Sequence, residues 1–198
     1  MLPNDAILHA VVAEVSEALP AGSVHVGCST VSPQAARAVA AVHDAHGSTY
    51  VSAPVFARPD GMALGQATIP ISGPAAGLAR IKPLLEATST GVFEFGEDVG
   101  ASNVVKLGGN FLIASAIEAM AESMALAEAN GVDRVAMMQM LNSTIFDCLI
   151  YKGYGQRVSE RDHLPYPDAH FALELVRPPP LLCMAGWLPP SNERGLRV

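Results

Sequence analysis

Hydrophobic positions along the first half of the chain switch between two periods. Ile7, Val11, Val12, Val15 and Leu19 recur at helical spacing and predict a helix over 5–19, with Asp5 as its cap. After the breaker Pro20-Ala21-Gly22, the run SVHVGC at 23–28 predicts a short strand. Ser32-Pro33 is a helix start, with serine as cap and proline at the first helical position. Ala36, Val39, Ala40 and Val42 carry that helix to Gly47, and TYVSAPV at 49–55 predicts the next strand. Strand, helix and strand within about 30 residues make a βαβ unit and so a parallel sheet. ATIPIS at 67–72 predicts a third strand. A helix over 74–87 follows, with Leu78, Ile81, Leu84 and Leu85 inward, and then a short strand at 92–95.

The pattern changes near Gly100. From 101 to 130 there is no proline and the apolar residues surround the whole helix, which predicts a helix of about 40–45 Å buried among other helices. Asn130-Gly131 ends it, and 133–141 predicts a further helix. Beyond Gly153 the pattern weakens, and Pro178-Pro179-Pro180 and Pro189-Pro190 exclude continuous helix or central strand. The boundary therefore falls near Gly100, with α/β structure before it and helices after it.

Composition narrows the class. Half of the 198 residues are hydrophobic and 16% are charged, too apolar for a disordered chain. Aromatics make up only 6%, which favours helices and α/β layers over a β-sandwich. Net charge is −7, and lysine occurs only at 82, 106 and 152, so no basic surface for nucleic acid is visible. Mean hydropathy is +0.29. The longest uncharged stretch, 61–79, is interrupted by Gly, Pro, Gln, Thr and Ser, and no membrane span or signal peptide is expected. Cys28, Cys148 and Cys183 are odd in number and widely spaced, which suits a reducing cytoplasm. His43 and His46 sit three apart on a helix with no third ligand nearby. They read as solvated histidines rather than a metal site.

The polar residues of the long helix suggest chemistry. Lys106 and Asn110 are four apart and share a face near its start, with Gly108 and Gly109 between them allowing close backbone approach. A lysine desolvated in an apolar helix acquires a lowered pKa and can transfer protons. The same lysine at a helix start can instead snorkel to the surface. Spacing alone leaves both readings open.

Four segments, in order, resemble the β-hydroxyacid dehydrogenases, the family of 3-hydroxyisobutyrate dehydrogenase with 6-phosphogluconate dehydrogenase as a larger relative. MLPND at 1–5 is similar to the family's LP-containing loop. CSTVSP at 28–33 is similar to its strand-end S-T-x-S/D-P. YVSAPVFARP at 50–59 resembles D-A-P-V-S-G-G, and GASNVVKLGGN at 100–110 resembles G…K-x-x-x-N. The resemblance covers about residues 1–175 and implies hydride transfer between NAD or NADP and a small hydroxy acid or related carbonyl. Lys106 would be the general acid/base and Asn110 would orient the substrate or Lys106. Leu2, Pro3 and Thr30 would lie along the cofactor near the nicotinamide, and Phe56, Ala57 and Arg58 would form the substrate loop. The implied architecture is an incomplete Rossmann-type parallel sheet over 1–100, lacking the first βαβ unit. An all-helical dehydrogenase domain over 101–175, also partial, is joined to it by the long bridging helix, and a divergent Pro-rich tail occupies 176–198.

Three departures from the family pattern stand out. No GxGxxG occurs, so the phosphate cradle is missing and the chain is expected to begin partway through a Rossmann domain, with weak or absent cofactor binding and impaired turnover. Phe56-Ala57-Arg58 stands where Ser-Gly-Gly is usual, and Ser52 where Asp is usual. Phe56 cannot donate a hydrogen bond; Arg58 could pair with an acid, or be an ordinary exposed loop charge. After HFALEL at 170–175 the text VRPPPLLCMAGWLPP suggests a shifted reading frame. A non-catalytic scaffold that keeps the fold, or an imine reductase-like enzyme suggested by Phe56, are the alternatives. A small-molecule substrate and a cytoplasmic location are expected. The family's long helix often contributes to dimers, which allows a homo-oligomer.

Overall fold

The computed structural model describes residues 1–160. The segment 161–175 and the Pro-rich tail, with Cys183, lie outside the described residues. The elements run α1 (Asp5–Ala18), β1 (Val24–Gly27), α2 (Pro33–Ala45), β2 (Thr49–Ser52), α3 (Pro59–Ala63), β3 (Ala67–Ile71), α4 (Ala75–Glu86), β4 (Ser89–Glu94), α5 (Ala101–Ala129), α6 (Arg134–Asn142) and α7 (Leu149–Glu160). This is a mixed α/β structure with a short parallel sheet and a long helix. Two compact units divide between Gly109 and Asn110.

In the first unit, β1 and β2 pair in parallel, with Val24 opposite Thr49 and Gly27 opposite Ser52, as the βαβ pattern predicts. β3 and β4 form a second parallel pair. The two pairs are joined through antiparallel bridges at Ser52–Ser72 and Phe56–Thr68. Parallel strands are covered on their faces by helices and read as apolar runs. Accordingly Val51, Ala53, Ala67, Ile69 and Ile71 are buried against Leu78 and Ile81 of α4. On the other side Leu8 and Val12 of α1 pack with Ala36 and Val39 of α2 and with Tyr50. Each such buried Val or Leu contributes roughly 1.5–3 kcal/mol.

Several expectations change at this level. The cap of α1 is Asn4, whose side chain accepts from the Ile7 amide. Asp5 instead accepts from the Ser32 amide at 3.0 Å, because its position inside the first turn leaves the carboxylate free to reach the next loop. Leu84 is 70% exposed rather than inward, lying at the margin of the face of α4 that buries Leu78 and Ile81. β4 begins at Ser89 rather than 92, because pairing with Ala67 extends the ladder through residues of weak strand character. His43 is not solvated: it is fully buried, with Nε2 2.8 Å from His25 Nδ1 and Nδ1 2.8 Å from Ser48 Oγ.

In the second unit, the later turns of α5 pack on α6 and α7 through Met120, Met124 and Met138, flanked by Tyr151, Tyr154 and Val158. The helix is not buried all round, as its apolar circumference predicts. Leu112 and Leu126 are each 68% exposed, because α6 and α7 cover one face only. Among the described residues α5 alone is long and apolar enough to cross a bilayer, a criterion that core helices of soluble proteins also meet.

Candidate active site

The candidate site grows from the carboxyl ends of β1 and β2. In a parallel sheet both chains leave the strands at the same edge, where α/β proteins bind ligands. After β1 the chain runs through Cys28, Ser29 and Thr30. Thr30 is buried, and Ser29 Oγ accepts from the Leu2 amide at 2.7 Å. With the Asp5–Ser32 bond, this holds the loop of Leu2 and Pro3 against the loop of Ser29 and Thr30. These two segments, distant in sequence and both expected along a cofactor, are thus adjacent.

After β2 the chain reaches Phe56, whose amide donates to Thr68 O at 2.9 Å and whose carbonyl accepts from the Thr68 amide at 3.1 Å. Ala57 and Arg58 follow and are exposed.

The start of α5 is fastened to this edge by buried polar groups. Ser72 Oγ accepts from the Ser102 amide at 3.0 Å and lies 2.9 Å from Ser102 Oγ and 3.1 Å from Val99 O. Asn103 Nδ2 donates to Ser52 Oγ at 2.7 Å. The first amides of a helix have no partner within it, so Ser72 acts as a cap supplied from the strand edge. Asp98 adds a bond to the Gly100 amide at 2.9 Å and a two-pronged pair with Arg37 at 2.9 and 2.7 Å. The fit at Gly100 is tight: a Cβ would stand 3.0 Å from the Arg37 guanidinium and 3.1 Å from Pro33. Asn103 Oδ1 is buried with no partner. Ser52, flagged by its place in the motif, was the one signal for this knot; Ser72, Ser102 and Asn103 carried none.

One turn beyond the knot sits Lys106, 9% exposed. Its Nζ lies 4.0 Å from the centroid of the Phe56 ring. Burial lowers the amine to about 8, because the ammonium loses solvation as it leaves water. Of the two readings left open by spacing, the structure shows the desolvated lysine, not the surface one. Gly109 provides a close approach: a Cβ there would lie 2.4 Å from Phe56 Cζ. Gly108 does not, as nothing lies within 4 Å of the corresponding position. Asn110 follows Lys106 by four residues in the same helix and is half-buried. A concavity of about 580 Å³ in the second unit, lined by Met138, Asn142, Lys152 and Ser159 among others, holds none of these residues.

Comparison with known proteins gives this arrangement a family. Residues 1–96 match the NAD binding domain of 6-phosphogluconate dehydrogenase, and residues 100–176 match the NAD-binding domain of NADP-dependent 3-hydroxyisobutyrate dehydrogenase. The cofactor of these families is NAD or NADP. An uncharacterized oxidoreductase, YfjR, of Bacillus subtilis is 32% identical over 75% of this chain and 52% of its own length. A 3-hydroxyisobutyrate dehydrogenase of Pseudomonas aeruginosa is 34% identical over 60% of this chain and 40% of its own. The crystal structure of a 3-hydroxyisobutyrate dehydrogenase (ygbJ) from Salmonella typhimurium superposes with a TM-score of 0.79 at 28% identity, covering 94% of this chain and 66% of that one. The chain thus spans about half the length of the curated relatives it matches. With two NAD-binding family profiles matched in order along it, the chain belongs to the β-hydroxyacid dehydrogenase family.

Proposed function

We propose that this chain carries the proton-transfer side of an NAD(P)-dependent dehydrogenase site acting on a small hydroxy acid or related carbonyl. The observation that carries the reading is Lys106, dry and one turn beyond the Ser52–Ser72–Ser102–Asn103 knot, at the carboxyl edge of the strands where open α/β sheets bind ligands.

The residues present suit the nicotinamide end of the cofactor. Leu2, Pro3 and the buried Thr30 form an uncharged wall of two loops tied together by the Leu2–Ser29 bond. The sequence holds no GxGxxG turn for the pyrophosphate, so these residues account for one end of the dinucleotide only. When bound, the nicotinamide supplies hydride exchange with the carbinol carbon. In oxidation, the neutral Lys106 amine takes the hydroxyl proton as the carbon–oxygen bond becomes a carbonyl. In reduction, the Lys106 ammonium returns that proton to the oxygen. An amine near 8 serves both directions at neutral pH. Asn110 orients the substrate or the lysine, and Phe56, Ala57 and Arg58 form the substrate loop. With it we propose a Rossmann-type domain over 1–100 and a helical dehydrogenase domain beginning at 101. A cytoplasmic location, a homo-oligomer, and the absence of nucleic-acid or membrane partners complete the proposal.

The test is oxidation of small hydroxy acids by this protein at millimolar NAD or NADP, beside Lys106→Met. We expect Lys106→Met to lower turnover by about 10²–10⁴, the span of general acid–base catalysis. Undiminished turnover would remove Lys106 from the mechanism. An intact fold that binds neither NADH nor NADPH at millimolar concentration would favour the scaffold reading.

A further inference from the structure

We propose that His25, His43 and Ser48 form a relay that takes up one proton from solvent at His25 and shares it across both rings, a pH-sensitive switch set where β1, α2 and β2 meet. It does not depend on the dehydrogenase reading.

The three side chains form one hydrogen-bonded line. His43 Nδ1 lies 2.8 Å from Ser48 Oγ, and His43 Nε2 lies 2.8 Å from His25 Nδ1. His43 and Ser48 are buried, whereas His25 is half-buried and ends the line at its Nε2. Between the rings there is room for one hydrogen only, because one nitrogen must donate and the other accept. Two neutral arrangements satisfy this. In the first, Ser48 donates to His43 Nδ1, and both rings carry their hydrogen on Nε2. In the second, Ser48 donates to His43 O, 3.3 Å away, while His43 Nδ1 donates to Ser48 and His25 Nδ1 donates to His43. The second arrangement leaves His25 Nε2 bare, and that lone pair takes the proton. Transfer of the bridging hydrogen to His43 Nε2 then passes the charge to the buried ring. A second proton would set two N–H groups against each other, so the pair holds one.

The surroundings tolerate this charge. The Tyr50 ring lies nearly parallel to His43 at 5.8 Å between centroids and perpendicular to His25 at 5.2 Å. A cation within about 6 Å of an aromatic face is attracted to it. The ionisable groups acting around the pair are Tyr50 with Cys28 beside it, and His46 and Asp44 on α2. The buried residues of α1 and α4 are Leu8, Val12, Ser16, Gly77, Leu78 and Ile81, none of them ionisable. Burial outweighs the one carboxylate, so the uptake falls below pH 6.5. Tyr50 also carries the effect outward: its hydroxyl end fills the space that a side chain on Gly27 would need. Gly27 leads into Cys28, Ser29 and Thr30, so the switch stands at the foot of that loop.

Ring-nitrogen NMR of the folded protein between pH 8 and 5 tests the relay. Scalar coupling across the shared hydrogen distinguishes the pair among the six histidines. The two rings together should gain one proton with a midpoint below 6.5, and the Gly27 and Cys28 amides should shift with that midpoint. His25→Gln keeps a hydrogen bond to His43 but removes the exposed nitrogen, and should abolish the uptake. Ser48→Ala removes the acceptor of the charged form, and should lower the midpoint by about one pH unit, the worth of a hydrogen bond to a charged group. The proton count in the wild type needs no variant, so a substitution that fails to fold leaves the test standing. Two protons on the folded pair, or none before the protein unfolds, overturn the relay. So do uptake retained in a folded His25→Gln, a midpoint unmoved in a folded Ser48→Ala, and Gly27 and Cys28 amides indifferent to the transition.

Discussion

The first nine residues of α5 and the twenty that follow are one helix built on two principles. From Ala101 to Gly109 the buried groups are polar: Ser102, Asn103 and Lys106, tied to Ser52 and Ser72 or set against an aromatic face. From Asn110 onward the buried groups are Met120, Met124 and Ala127, and the rest of the surface exposes large apolar residues such as Leu112 and Leu126. Methionine fills irregular gaps and tolerates change, whereas a buried polar knot has few satisfactory arrangements. The difference separates a segment that must place one amine accurately from a segment that must only pack.

Substitutions can break this contrast from either side. The largest effect is expected at Lys106. Lys106→Met should lower turnover by about 10²–10⁴ yet leave thermal stability unchanged or raised, since it removes a desolvated charge. Thermal melts beside steady-state rates check it. A comparable loss of stability would mean that the lysine is structural. Next, Met124→Ala should cost about 2–5 kcal/mol by opening a cavity in the second unit. Denaturant unfolding reads that loss, and the Lys106 titration should stay where it was. Ser72→Ala should cost less, about 1–3 kcal/mol, by leaving the buried Ser102 amide unpaired. Unlike Met124→Ala, it should also shift the Lys106 titration, because it loosens the turn that carries the amine.

The smallest effect concerns the buried histidines. Burial, with His43 beside it, lowers the pKa of His25 below 6.5. Burial and then the neighbouring His46 lower that of His43, against a smaller opposing effect of Asp44. Both therefore take up a proton at lower pH in the folded protein than in the unfolded chain, which does so as pH falls through 6.5. The stability they contribute is complete above that value and is lost progressively below it. Urea midpoints between pH 8 and 5 should fall in the acid range for the wild type. The fall should be smaller in His25→Gln.

Much of the architecture was legible because the chain's local signals agree with its packing. Ser32-Pro33 does cap α2, and the alternation of strand and helix over 23–55 does produce a parallel pair. α7 was not legible because Gly153 and Gly155 depress its helix propensity. Yet Gly155 is what lets it approach the sulfurs of Met138 and Met120, at 2.9 and 3.2 Å from where a Cβ would stand. The knot was hidden for a different reason. A serine just past a strand end carries no period, and Ser72 matters only because Ser102, thirty residues later, brings an unpaired amide to it. Phe56 read only as a departure from its motif, and Gly109 only as a close approach; the structure shows that the glycine supplies the space the ring fills. Pairs of this kind are visible only when both members are placed in three dimensions.

The central claim is that Lys106 is the proton-transfer group and that its dry setting tunes it. The most direct measurement is the pH dependence of kcat/KM for hydroxy-acid oxidation between pH 6.5 and 10, which reports the free enzyme's essential base. The base must be neutral, so the rate should rise with pH through an inflection at about 8 and then level off. Phe56→Ser should move that inflection upward. A profile that is flat across this range, or that inflects at the same pH in Phe56→Ser as in the wild type, would contradict the account.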